Sequence, residues 1–111
     1  MQGKIALEEH FAIQDTLMDS AGFLGDAVWE ELKGRLMDIQ VRRIAEMDQN
    51  GVEVMILSLN APAVQAIHDK KRAVEVAKKA NDFLAEQEAK NPKRFKSFAA
   101  LPMQDPECVR C

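Results

Sequence analysis

The sequence predicts an α/β fold built on a parallel sheet. Short apolar runs of strand length alternate with two long segments of helical periodicity. Each helical segment ends within a few residues of the next strand-like run. The middle run, Val52 to Ser58, is almost continuously apolar, as in strands covered on both faces. An order β-α-β-α-β with such short helix-to-strand connections demands parallel strands and right-handed crossovers.

The first strand is expected over Lys4-Ile5-Ala6-Leu7-Glu8. Asp15 to Gly25 is rich in small and polar residues and reads as an irregular excursion. From Val28 to Asn50 the apolar residues Val28, Leu32, Leu36, Ile39, Ile44 and Met47 recur at helical spacing, which predicts one helix with a broad buried stripe. Asn50-Gly51 should stop it, because glycine adopts a positive φ without strain. After the second strand, Asn60-Ala61-Pro62-Ala63 forms a loop. A second helix runs from about Asp69, its N-cap, to Asn91, with Ala73, Val76, Ala77, Ala80, Phe83 and Leu84 on one face. Pro92 ends it, since the residue before proline is driven out of the helical region. Phe95 to Leu101 is the expected third strand, closed by Pro102.

Composition excludes several function classes. Hydrophobic residues make up 47% and charged residues 30% of the 111 residues, a balance that belongs to globular chains. A net charge of -3 gives no reason to expect nucleic acid or an anionic membrane as partner. The basic run Lys90 to Lys96 is broken by Asn91, Pro92 and Phe95 and reads as a solvated helix end. No apolar stretch approaches the roughly 20 residues that span a bilayer. The opening Met1-Gln2-Gly3-Lys4 has no signal-peptide pattern, so the cytoplasm is the expected compartment. The cysteines, Cys108 and Cys111, form a terminal Cys-x-x-Cys with no second ligand pair, too little for a zinc or redox site.

Ligands of parallel α/β sheets bind at the carboxyl ends of the strands. There the first strand carries Glu8-Glu9-His10. Strict alternation places Glu8 and His10 on one face with Ala6, and Ile5 and Leu7 on the opposite face, under the helices. A carboxylate and an imidazole two residues apart can share one divalent ion. The alternative is a solvated strand end followed by a loop histidine, and a metal needs about four filled positions, so partners must come from elsewhere. Asn60 could hydrogen-bond a substrate or make a turn. Phe23 could wall an aromatic pocket or act as a local anchor. His68 is expected to be exposed ahead of the Asp69 cap.

Four segments together resemble a known family. They are Gly3 to Phe11, Ile56 to Gln65, Ala80-Asn81-Asp82 and Phe98 to Pro102, in that order along the chain. They are similar to the first third of the amidohydrolase-related decarboxylases, over about residues 1–106. The resemblance implies the first three βα units of a TIM (β/α)8 barrel of the metal-dependent hydrolase type. It also implies nonoxidative decarboxylation of a hydroxybenzoate such as γ-resorcylate, with a divalent metal, Zn2+ or Mn2+, at the barrel mouth. By that resemblance Glu8 and His10 are metal ligands, Phe23 lies over a small aromatic acid, and the full-length family forms homo-oligomers; Asn60 remains a candidate substrate contact from its place after the second strand alone. Some relatives carry alanine at the histidine position, so His10 points to the γ-resorcylate branch.

The family pattern breaks near Glu107, which sets the expected organisation as a partial barrel domain at 1–106 and a divergent tail at 107–111. A complete barrel takes roughly 250 residues. The expectation is therefore a truncated carboxy-lyase domain in which no catalytic acid falls within this chain. A catalytically inactive fragment, or a small self-associating α/β module, is the alternative.

Overall fold

The computed structural model describes residues 3–110, apart from the side chain of Phe23. Three parallel strands, β1 (Lys4–Phe11), β2 (Val52–Leu59) and β3 (Phe95–Ser97), lie side by side in that order. The helices are α1 (Gln14–Leu17), α2 (Asp26–Met37), α3 (Arg42–Asn50), α4 (Lys70–Lys90) and α5 (Pro106–Arg110). Short 3₁₀ turns at Met18–Phe23 and Ala63–Ala66 follow α1 and the β2 loop. The parallel α/β class expected from the periodicity is the observed one.

The helices cover one face of the sheet. Phe11, Leu57, Leu59 and Phe95 point into that layer and are buried, with Val76, Ala77, Ala80 and Leu84 of α4 against them. Phe11 stacks on Phe83 of α4 with ring centroids 5.9 Å apart, which ties the end of β1 to the long helix. A smaller cluster of Ala12, Leu17, Trp29 and Leu36 packs α1 and α2 beneath the exit of β1. The other sheet face is open: Ile5 and Leu7 are 61% and 62% exposed, and Phe98 beyond β3 is exposed too. This reverses the expected placement of Ile5 and Leu7 under the helices.

The helix expected over Val28–Asn50 is broken in two. Asp38 leaves the helical region (φ -88, ψ 124), and its carboxylate accepts from the Arg43 backbone N–H at 3.1 Å, satisfying an orphan donor in the first turn of α3. The break drives Ile39 into the core and lets Gln40 reach α4, where its amide donates to Gln87 Oε1 at 2.8 Å. Outside, Glu31 and Glu46 bridge Arg35 and Arg42 across the break. These side chains are half-exposed, so the ring of charge adds register more than stability. Within α2 the buried residues are Trp29 and Leu36, while Val28 is 58% exposed.

Other local signals hold. Gly51 caps α3 at φ 68. The Asp69 carboxylate accepts from the Arg72 N–H at 2.6 Å as the N-cap of α4. The third strand is shorter than the expected Phe95–Leu101. Beyond Ser97 only the Phe98 N–H bonds back to Leu57. The chain then leaves the ladder, because Asn81 of α4 binds both main-chain groups of Ala100, at 2.7 and 2.9 Å. The excursion after β1 is ordered rather than irregular. Asp15 receives Lys79 at 2.6 Å and Arg72 at 3.0 Å, both from α4. Among the described residues no helix is long and apolar enough to cross a membrane.

Candidate metal centre

The carboxyl end of β1 is a β-bulge. Ala6 pairs with Met55 and Glu9 with Leu57, so three residues of β1 advance against two of β2. Glu8 lies within the extra step and adopts φ 58, the left-handed region that favours glycine. The bulge resets the alternation. Ala6, Glu9 and Phe11 share the helix-covered face with Met55, Leu57 and Leu59, while His10 pairs with Ser58 on the open face. Strict alternation had put Ala6 and His10 together; the inserted residue separates them.

His10 is exposed, and its Nδ1 lies 3.3 Å from Ser58 Oγ. That contact orients the ring and leaves Nε2 free for a metal, the arrangement that outer-shell partners give ligating histidines. Glu8 is also exposed, and among the described residues its carboxylate has no hydrogen bond or ion pair. Backbone outliers of this kind cluster at functional sites, which makes Glu8 a candidate rather than a bystander. The donor chemistry of Glu8 and His10 fits a divalent ion such as Mn2+ or Zn2+. Among the described residues no group of three or more His, Cys, Asp or Glu side chains converges, so a metal at this strand end would need donors beyond Glu8 and His10.

Asn60 ends up beside this strand end but inward. Its N–H bonds to the Phe11 carbonyl at 2.9 Å, and it is only 8% exposed. Its Nδ2 donates to Ser20 Oγ at 2.8 Å, and Ser20 Oγ donates to the Ala61 carbonyl at 2.8 Å. Asn60 thus latches the 3₁₀ excursion to the end of β2, and its buried Oδ1 lacks a partner among the described residues. A cavity of about 560 Å³ opens here, lined by His10, Ser20, Leu24, Arg43, Asn60 and others. His10 and Asn60 therefore share one cavity; Glu8 does not line it. The side chain of Phe23 lies outside the described residues. His68 is exposed, as expected.

Three contributors went unread in the sequence. Ser58 is a polar residue near the end of an apolar strand, and the parallel register opposite His10 is what gives it meaning. Ser20 has no local signal. Arg43 interrupts the buried stripe between Ile39 and Met47, a charge where an apolar residue belongs. Burial pulls its guanidinium below the ordinary range, opposed by the charges of Glu9, Asp38 and Glu46.

No protein-family profile matches the chain. The γ-resorcylate decarboxylase of a Polaromonas species is 70% identical over 107 residues, covering 96% of this chain and 33% of that protein. The crystal structure of a dihydroxybenzoic acid decarboxylase from Polaromonas, with bound manganese and the inhibitor 2-nitroresorcinol, superposes with a TM-score of 0.95 at 69% identity, covering 98% of this chain and 33% of that one. A 2,6-dihydroxybenzoate decarboxylase complexed with 2,6-dihydroxybenzoate gives a TM-score of 0.96 at 62% identity, with 98% and 34% coverage. The chain thus spans about a third of the length of the relatives it matches. Sequence and backbone together match this chain to one third of the (β/α)8 barrel of the γ-resorcylate decarboxylases, within the amidohydrolase-related decarboxylases.

Proposed function

We propose that this chain contributes the Glu8–His10 part of the metal centre in a nonoxidative decarboxylase acting on a hydroxybenzoate such as γ-resorcylate. The observation that carries the reading is the bulge of β1. It holds Glu8 at positive φ and sets His10 against Ser58 at the strand ends where such barrels bind ligands. The manganese and the dihydroxybenzoate named in the solved relatives support a divalent metal and a small aromatic acid.

In the reaction the bond between ring carbon and carboxylate breaks, its electron pair passes to the ring carbon, that carbon takes a proton, and CO2 leaves. When bound, a divalent ion supplies Lewis acidity and a template for the carboxylate and an ortho phenolic oxygen. Manganese is named in several of the solved relatives, and zinc would suit the same donors. Within this chain Glu8 and His10 hold, Ser58 fixes the imidazole, and Asn60 keeps the excursion that carries Phe23 against the β2 end. We assign no proton donor to this chain.

The test is a graft. Residues 3–110 replace the matching third of the Polaromonas decarboxylase, and CO2 release from 2,6-dihydroxybenzoate is measured with added Mn2+. The reading requires turnover in the graft and its loss on Glu8→Gln or His10→Ala. A folded graft whose turnover survives both changes refutes it.

A further inference from the structure

We propose that Arg43 is a positioning residue for His10: clamped on the His10 carbonyl from the helix layer, it holds the bulged end of β1 so that Glu8 and His10 keep the relation a divalent ion needs. This rests on the metal-binding reading above.

The clamp is a main-chain one. Arg43 Nη2 donates to the His10 carbonyl at 2.8 Å and to the Arg35 carbonyl at 3.0 Å, and Nε donates to the Asp38 carbonyl at 3.1 Å. The Arg35 and Asp38 contacts serve carbonyls at the end of α2, which lack helical partners. The His10 contact is different, because it leaves the helices and grips the strand. Among the described residues the guanidinium makes no ion pair within 4.0 Å; its Nε and Nη2 donate to backbone carbonyls and Nη1 to Met55 Sδ at 3.9 Å, with the charges of Glu9, Asp38 and Glu46 acting from further off.

β1 needs such a grip at this point. The shift between Ala6 and Glu9 interrupts its ladder with β2, and Glu8 sits in a disfavoured conformation within the interruption. Past the bulge, β1 is held by the short pairing of Glu9 to Phe11 with β2 and, from the other layer, by Arg43. A guanidinium can reach three carbonyls with a planar fork; an ammonium has one nitrogen and cannot span them.

Sequence composition supplies an internal control, because the chain has two histidines, His10 and His68. In the 111-residue chain, MnCl2 is titrated while the imidazole proton signals are followed by NMR. The wild-type His10 signal broadens at lower Mn2+ than His68. In Arg43→Lys, His10 requires about tenfold more Mn2+ while His68 is unchanged and the melt stays cooperative. Wild-type behaviour of His10 in that variant overturns the Arg43 role and leaves the metal reading standing. A wild-type chain in which His10 and His68 broaden together defeats the metal reading and this inference with it. If Arg43→Lys fails to fold, the unmodified chain still decides. Reciprocal coupling requires Zn2+ to slow hydrogen exchange at the Arg43 Nη2 protons that donate to the His10 carbonyl, and unchanged exchange there in a chain whose His10 binds metal overturns the proposal.

Discussion

Replacing Glu8 with glycine should stabilise the fold while removing half of the proposed ligand pair. Glu8 adopts φ 58 inside the bulge. A left-handed conformation costs a residue with a Cβ about 1–2 kcal/mol. Glycine escapes that cost but gives back about 0.5–1 kcal/mol, because its unfolded chain has more freedom to lose. The side chain itself contributes little to folding, being exposed and without a polar partner among the described residues. The net expectation is a gain of about 0–1.5 kcal/mol, centred at about 0.75 kcal/mol, which for a domain of this size raises the melting midpoint by about 3–6 °C at the centre of that range. Thermal denaturation followed by circular dichroism measures it directly, with Glu8→Ala as control because alanine keeps the Cβ and the strain. A Glu8→Gly chain that melts at or below the wild type would show that the bulge holds no strain at this residue. The inference that the conformation is retained for the carboxylate would then lose its physical basis.

Two further predictions concern the scaffold around the site. Leu57 is fully buried at the centre of the sheet, so Leu57→Ala should cost about 2–5 kcal/mol by urea denaturation; a loss under about 1 kcal/mol would mean that the helix layer does not pack on β2 as described. The Asp15 carboxyl is held below its usual range, first by the Lys79 hydrogen bond and then by Arg72, with burial opposing them. Its contribution is therefore full above the unfolded carboxyl value of about 3.9 and is lost as the pH falls through the lower folded value. Asp15→Asn should lower the melting midpoint at pH 7 and make the decline below pH 4 shallower than in the wild type; parallel pH profiles would contradict the pairing.

What the sequence discloses about this fold is what adjacent residues decide. The stop at Asn50-Gly51, the Asp69 cap and the small-residue face of α4 are each set within a few positions, and each is found where expected. The break at Asp38–Val41 is not local. It exists because Ile39 is worth more in the core and Gln40 has partners on α4, contacts some fifty residues away that periodicity does not register. The end of β3 likewise depends on Asn81. For the site, residue type and neighbouring motifs nominate Glu8 and His10 as candidate ligands. Their true relation was hidden, because an alternating pattern cannot announce an inserted residue when the inserted residue is glutamate and not glycine. The partners of the site, Ser58, Ser20 and Arg43, become legible only once the register and the helix break are known.

Everything proposed for the site depends on Glu8 and His10 holding one divalent ion at the bulged end of β1. Crystals of the chain soaked in MnCl2, with diffraction collected near the manganese absorption edge, test it most directly. An anomalous peak is expected within bonding distance of both the Glu8 carboxylate and His10 Nε2, absent in Glu8→Ala crystals treated alike. A peak bound by other carboxylates, or none near His10 at saturating Mn2+, would contradict it.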